Sequence, residues 1–187
     1  MKPGVVRIIA GRWRGKLLKV PAVTHLRPTP DRVRETLFNW LAPWIAHSHC
    51  ADLFAGSGVL GLEALSRGAA STTFVDASEI AINTIQATIT QLNIQGAHAY
   101  CATLPRGIKP PARPFDIVFI DPPYQAQLVM PMCELLEAKQ YLATHALIYL
   151  ESPQALTPND LPKNWGLIKQ KQAGQVFYHL VQRNIHE

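Results

Sequence analysis

Residues 49–68 read HCADLFAGSGVLGLEALSRG, and this stretch decides the fold class. Its apolar first part, His49 to Phe54, predicts a buried strand. Its last part, Val59 to Gly68, predicts a helix that ends at a glycine. The loop between them has the spacing G-x-G-x-x-G, which lets the backbone turn tightly and approach a ligand at the helix N-terminus. The alternative is that the glycines serve only strand–helix packing.

Strands and helices alternate on both sides of this loop, and the alternation predicts an α/β fold. Six further strands of the sheet are expected at Ser71–Asp76, Ala97–Cys101, Asp116–Ile120, Ala146–Glu151, Trp165–Lys171 and Gln175–Leu180. The last two follow each other without a helix, so they should form an antiparallel hairpin at one edge. The sequence therefore predicts a doubly wound, seven-stranded, mostly parallel sheet with helices on both faces.

A separate unit is predicted at the N-terminus. Two β-rich segments, Val5–Ile9 and Lys16–Val20, flank turn residues and indicate a small hairpin. A helix should follow from Asp31, with Thr29 as its N-cap and Pro30 in its first position. We therefore divide the chain into a hairpin and linker, residues 1–28, and a main domain, residues 29–187.

Positive charge is concentrated in this N-terminal unit. The net charge is +5, and half of the eighteen lysines and arginines precede residue 35, with Asp31 as the one acid there. These nine cations are Lys2, Arg7, Arg12, Arg14, Lys16, Lys19, Arg27, Arg32 and Arg34. Such a segment favours binding to a polyanion, although a solvated basic face is the alternative. Trp13 lies among the arginines, where it could stack on an unpaired base or fill the hairpin core.

Other classes of protein are disfavoured. No apolar run reaches the roughly 18 residues of a membrane span, and we expect a cytoplasmic protein without membrane contact. The three cysteines, Cys50, Cys101 and Cys133, are too few and too scattered for a disulfide framework. The run His47 to Cys50 lacks a second pair of ligands, so no metal site is predicted.

Two carboxylates flank the glycine loop and point to a particular nucleoside cofactor. Asp76 ends the second strand of the sheet, twenty residues after Gly56, where a carboxylate can bind a ribose diol. Asp52 precedes the loop and would repel the pyrophosphate of a dinucleotide. A carboxylate there suits the cationic ammonium group of S-adenosylmethionine, so we predict this cofactor.

The sequence DPPY, residues 121–124, ends the fourth strand at the expected ligand-binding edge of the sheet. An exocyclic amine of a nucleobase is a weak nucleophile, because its lone pair is delocalised into the ring. Asp121 and the carbonyl of Pro122 could accept its N–H groups and aim the lone pair at a methyl group. Tyr124 could stack on the base, and Pro123 stiffens the turn.

These residues resemble the class I, Rossmann-like methyltransferases that modify amino groups. The segments RIIAGRWRGKLLKVP, LRPTPDRVRETLFNWL, DLFAGSGVLGLEALSRGA, FDIVFIDPPY and ALIYLES are together similar to bacterial 16S rRNA guanine-N2 methyltransferases, nearly from end to end. The resemblance implies methylation of N2 of one guanine in 16S rRNA, with the 30S subunit or a late assembly particle as substrate. We expect the protein to act as a monomer.

The resemblance also implies roles for individual residues. The cofactor-binding set is Asp52, Phe54, Gly56, Gly58, Asp76 and Thr103, and the guanine site is Asp121 to Tyr124. The segment from Arg27 to Thr29 is expected to close over cofactor and target. The expected RNA contacts are Arg7, Arg12, Trp13, Arg14, Arg27, Thr29 and Arg32. Glu151 is a polar neighbour at the end of the fifth strand.

One position departs from the family pattern. Relatives often carry Asp or Asn after the third strand to bind the adenine amino group, whereas this chain reads CATLPR, leaving Thr103 or a backbone carbonyl. Three other functions stay open from the residues alone. They are methylation of adenine N6 or cytosine N4 in DNA, a dehydrogenase, and a non-catalytic RNA-binding protein.

Overall fold

The computed structural model describes residues 4–21, 29–123 and 127–184. The strands are β1 Val5–Arg7, β2 Leu17–Lys19, β3 His49–Leu53, β4 Ser71–Asp76, β5 Ala97–Cys101, β6 Phe115–Ile120, β7 Leu142–Ser152, β8 Trp165–Ala173 and β9 Val176–Arg183. The α-helices are α1 Asp31–Leu41, α2 Val59–Ser66, α3 Glu79–Gln91 and α4 Val129–Ala138. Pro158–Asp160 form a 3₁₀ turn.

The predicted α/β fold is confirmed. The main sheet has seven strands in the order β5-β4-β3-β6-β7-β9-β8. The pairs from β5 to β7 are parallel, and β9 is antiparallel to both β7 and β8. The chain order reverses between β3 and β6, and at such a reversal the crevice above the carboxyl ends of the strands is the usual ligand site.

The two faces of the sheet pack against different helices. One buried cluster joins residues of β1, β2, α1, α2 and α3 to one face, including Leu37, Leu62 and Phe74. The other cluster joins α4 to the opposite face, including Met132 and Ile148. Alternate residues of each strand therefore enter different cores, which explains the continuous apolar runs in the sequence.

The N-terminal hairpin pairs β1 with β2 in antiparallel register and shares the first core with the main domain. Its turn lies directly on α2, where the Arg12 N–H donates to the Ser66 carbonyl at 2.7 Å. A Cβ on Gly11 would collide with that same carbonyl. The buried Glu63 carboxylate accepts the N–H groups of Ile9 and Ala10. The division at residue 28 stays a prediction, since the hairpin and domain form one packed body here.

The predictions at helix ends had mixed outcomes. Ser78, a residue type preferred at helix N-caps, caps α3, because its hydroxyl accepts the Ala81 N–H at 3.3 Å. The prediction that Thr29 caps α1 is wrong. Pro30 occupies the N-cap position, without a side-chain hydrogen bond to the helix, and the Thr29 hydroxyl donates to Glu151 instead. Within the described ranges, no helix combines the length and apolar character needed to cross a bilayer.

Candidate active site

Four carboxylates lie near the carboxyl ends of four adjacent strands, on one face of the sheet. Register pairs place Val75, Leu53, Ile120 and Leu150 side by side across β4, β3, β6 and β7. The acids one residue beyond this row are Asp76, Asp121 and Glu151, and Asp52 is one residue before it. Side chains alternate between the two faces of a sheet, so residues one position before or after this row point to the same face. All four acids therefore belong to the face that carries α1, α2 and α3.

The glycine loop turns the chain from β3 into α2 through left-handed backbone conformations. Gly56 and Gly58 have φ angles of 54° and 71°, and Phe54 has a φ of 64°. The Phe54 ring is half-buried against the second core, on the face opposite the carboxylates. A Cβ on Gly58 would lie 2.8 Å from Ile85, so this glycine is also needed for packing. The loop thus combines close packing with a bare backbone at the start of α2.

Asp52 lies beneath this loop and is almost completely buried, with 3% of its surface exposed. Its Oδ2 accepts the Gly61 N–H at 2.8 Å. Burial raises the pKa of Asp52 to about 8, against the lowering effect of that hydrogen bond, and the nearby Asp76 charge raises it further. In this structure Asp52 therefore fixes the first turn of α2, and its ionised form is unfavourable there.

Asp76 joins the end of β4 to the loop. Its Oδ2 accepts the Gly56 N–H, and its Oδ1 accepts the Ser78 N–H, both at 2.8 Å. Each carboxylate oxygen can accept more than one hydrogen bond, and the residue is half-buried. Asp76 is therefore oriented before any ligand binds and keeps acceptor capacity for a hydroxyl group.

Asp121 follows β6 directly, beside Glu151 on the neighbouring strand. Burial raises its pKa well above the ordinary value, and the Glu151 and then the Asp52 charges add to that effect. Pro122 is buried and Pro123 is exposed, so the turn is anchored on one side. Tyr124, the predicted stacking residue, lies outside the described residues, as does Arg27.

Glu151 is held by two hydroxyl groups. Its Oε1 accepts the Tyr149 hydroxyl at 2.7 Å and the Thr29 hydroxyl at 3.3 Å. Glu151 is 6% exposed, and Tyr149 is fully buried. Thr29 lies two residues before the first residue of α1, so this contact connects the start of that helix to the edge of the sheet near Asp121. Tyr149 was not singled out in the sequence, although its alternation with Glu151 places both on one face.

The described residues among the predicted RNA contacts lie in the hairpin and around the start of α1, and Thr29 among them is buried. The exposed cations among them are Arg7, Arg12, Arg14 and Arg32. Trp13 is partly buried against the first core, and the Arg12 guanidinium lies 5.6 Å from its ring centre. Packing therefore accounts for part of the Trp13 side chain, and its remaining surface is available for stacking.

Thr103 is exposed beyond the end of β5, at the edge of the site. Its carbonyl accepts the Gly107 N–H at 2.8 Å. In the described part of the chain, no group of three or more His, Cys, Asp or Glu residues is placed to hold a metal ion.

Comparison with known proteins identifies the family. The model of the family described as conserved hypothetical protein 95 matches residues 6–182. Ribosomal RNA small subunit methyltransferase D of Escherichia coli strain K12 is 45% identical over 180 residues, covering 96% of this chain and 91% of the relative. The chain belongs to the ribosomal RNA small subunit methyltransferase D family.

Other methyltransferase D relatives and solved structures agree with this assignment. The Haemophilus influenzae member is 44% identical over 183 residues, covering 96% of this chain and 94% of its own. The solved Escherichia coli protein yhhF has a TM-score of 0.84 at 44% identity, with 98% and 100% of the two chains covered. The fold extends beyond the methyltransferase D family. A Pyrococcus abyssi tRNA (uracil-54, C5)-methyltransferase in complex with S-adenosyl-L-homocysteine has a TM-score of 0.66 at 15% identity, covering 97% of this chain and 44% of its own.

Proposed function

We propose that this protein transfers a methyl group from S-adenosylmethionine to the exocyclic N2 amine of one guanine in 16S rRNA. The substrate is the 30S subunit or a late assembly particle in the cytoplasm, and the protein acts as a monomer. The observation that carries this proposal is the position of Asp121 and Pro122 at the carboxyl end of β6, beside the glycine loop after β3, in a chain of the methyltransferase D family.

The residues of the loop fit the proposed cofactor. Gly56 and Gly58 lie close to the start of α2 and carry no side chains that would keep a nucleoside away. Asp76 is oriented to accept hydroxyl groups of a ribose. S-adenosylmethionine, when bound, supplies a methyl group on a positively charged sulfur, together with a cationic ammonium group.

The buried acids complement that charge. Burial and mutual repulsion make the ionised forms of Asp52 and Asp121 costly in the ligand-free protein. A cation bound among them would relieve that cost, so the site is selective for a positively charged ligand over a dinucleotide with its two phosphates. This argument disfavours the dehydrogenase alternative.

Asp121 and Pro122 are assigned to the target amine. The Asp121 carboxylate accepts one N–H of N2, and the Pro122 carbonyl accepts the other. Two acceptors in a fixed turn hold the nitrogen with its lone pair directed out of the plane of the base, and they stabilise positive charge that develops on nitrogen. Tyr124 is assigned to stacking on the guanine ring.

The exposed arginines of the hairpin are assigned to rRNA phosphates. They form one surface with the rest of the domain because the hairpin is fixed on α2 by Glu63 and by the Gly11 turn. Phosphate contacts of this kind give affinity and orientation but little base selectivity. The shape of the assembled particle must therefore contribute to the choice of guanine.

The test uses 30S subunits from a strain without this enzyme, incubated with the purified protein and labelled S-adenosylmethionine. We expect label in 16S rRNA as N2-methylguanine at one position, located by mass spectrometry, and none in duplex DNA. Asp121→Asn should reduce the rate by about two orders of magnitude or more. Asp116→Asn is the matched control, since Asp116 lies on the same strand at its opposite end and binds the His49 N–H.

The Asp116→Asn enzyme should retain its rate. Label in duplex DNA, or in a different group of the rRNA, would refute the proposed substrate. A full rate in Asp121→Asn would refute the proposed site.

A further inference from the structure

We infer that Glu151 is a positioning residue for the proposed methyl transfer: its buried carboxylate, one strand away, keeps Asp121 ready to take a proton from the methylated amine. This inference rests on the proposed function. It assigns Glu151 a task separate from that of Asp121, because Glu151 acts through Asp121 and not on the substrate.

The strand register brings the two acids together. Ile120 of β6 pairs with Leu150 of β7 in parallel register. Asp121 and Glu151 each follow these partners by one residue, so they are lateral neighbours on strands about 4.8 Å apart. Phe119 and Tyr149 enter the first core, and Asp121 and Glu151 lie two residues further along the same strands. Because side chains two residues apart point to the same face, the two acids share a face.

The hydrogen bonds of Glu151 favour its charged form. Its Oε1 accepts from the Tyr149 hydroxyl and from the Thr29 hydroxyl. Two donors on one oxygen stabilise a carboxylate and disfavour protonation at that oxygen. Glu151 also has little exposure to water, and a carboxylate charge there acts strongly on Asp121.

Described groups on β3, β9 and α1 lie around this pair. Asp52 lies on the β3 side, and Tyr178 of β9 is the register partner of Glu151 on the other side. From α1, Arg34 donates to the Thr29 carbonyl at 3.2 Å, while its charge is bound by Asp31 and Glu63. Arg34 is therefore already engaged, and Glu151 and Asp52 are the charges that raise the pKa of Asp121.

The chemical consequence concerns one proton. When N2 gains a methyl group it becomes a cation, and it returns to neutrality when one N–H proton passes to an oxygen of Asp121 and the N–H electron pair stays on nitrogen. A neighbouring anion makes Asp121 a stronger base for this step. The same repulsion raises the pKa of Asp121, so the activity of the enzyme should fall as the pH drops below that pKa.

The first experiment needs neither cofactor nor rRNA. Carbon-13 NMR of labelled aspartate carboxyl groups gives the titration midpoint of Asp121, with its signal assigned by Asp121→Asn. Glu151→Gln keeps the shape and an acceptor oxygen but removes the charge, and we expect the midpoint to fall by about one pH unit or more. Glu151→Asp keeps the charge and should leave the midpoint near that of the wild type.

Glu35→Gln, an exposed charge removal on α1, is the control and should not move the midpoint. If Glu151→Gln does not fold, Tyr149→Phe removes one hydrogen bond from Glu151 and should lower the midpoint by a smaller amount. An Asp121 midpoint that is unchanged by removal of the Glu151 charge, or that rises, overturns the inference.

The second experiment is the pH dependence of kcat with 30S subunits at saturating donor. In Glu151→Gln the acid limb should move to lower pH, and the plateau should fall by about threefold to tenfold because Asp121 is a weaker base. A merely structural Glu151 would lower kcat without moving the limb. If the wild type does not methylate 30S subunits, the proposed function fails while the NMR result stands by itself.

Discussion

Replacing Asp52 by asparagine should stabilise the ligand-free protein at neutral pH and weaken donor binding. Asparagine has the same shape, and its side-chain oxygen can still accept the Gly61 N–H. The substitution removes a carboxyl group that burial keeps protonated in the folded state. The difference in the free energy of unfolding therefore measures how much an acid beneath the glycine loop destabilises the folded protein.

The magnitude follows from the pKa of Asp52, which rises from 3.8 to about 8 on folding. At pH 7 the unfolded carboxyl has released its proton while the folded one largely retains it. The roughly 3 pH units between 3.8 and 7 correspond to about 4 kcal/mol, at about 1.36 kcal/mol per unit, as an upper value. Because folding raises the pKa of Asp52, this group does not reduce the free energy of unfolding below pH 3.8. Above pH 3.8 the free energy of unfolding of the wild type falls as the pH rises toward 8.

The assay is urea unfolding of the ligand-free wild type and the variant at several pH values between 4 and 8. The free energies of unfolding should be similar at pH 4 and should diverge by about 2 to 4 kcal/mol by pH 7, with the variant the more stable. Other acids contribute equally to both proteins, so the difference between the curves reports Asp52 alone. Calorimetric titration with S-adenosylmethionine should show weaker binding to the variant.

Parallel stability curves for the two proteins would refute this reasoning, because Asp52 would then ionise in the folded state without cost. Stabilisation together with unchanged donor affinity would refute a role of the Asp52 charge in binding and would leave it a structural group.

Three further predictions concern the scaffold. Gly11→Ala should cost about 3 kcal/mol because its Cβ would meet the Ser66 carbonyl, whereas Gly15→Ala, at a similar φ but with no neighbour, should cost about 1 kcal/mol in the same unfolding assay. Glu137→Gln should cost about 2 kcal/mol at pH 7, since Arg183 lowers the Glu137 pKa to about 2, and this difference should shrink as pH falls from 4.5 toward 2. Brief iodoacetamide treatment of the native protein should add one label by mass spectrometry, at the exposed Cys101, because the other two cysteines are buried.

The candidate site could be predicted from the sequence because its residues lie at the ends of strands. The positions of Asp52 and Asp76 around a glycine loop, and of Asp121 after an apolar run, follow from the regular alternation of a parallel sheet. These features depend on residues that are close in the sequence, so sequence analysis can detect them. The sequence also predicted the antiparallel hairpin at the edge, because the expected connection, residues 172–174, is too short for a crossover; in the structure the connection is residues 174–175.

Long-range contacts explain what the sequence did not reveal. A hydroxyl before Pro30 is an ordinary helix cap by its spacing, yet Thr29 bonds a carboxylate 122 residues away. Glu63 was not singled out in the sequence, but it is buried and accepts backbone N–H groups of the hairpin. In each case the choice between a local and a distant partner depends on which surfaces the fold brings together.

The amino-acid order by itself determined the alternation of strands and helices, the glycine turn and the acids beside it, since these depend on periodicity and backbone freedom over a few residues. Only the tertiary structure decided that the hydroxyl groups of Thr29 and Tyr149 bind Glu151 and that the basic hairpin is fixed to α2. Strand register and the burial of charge are properties of the packed chain, and no short segment contains them.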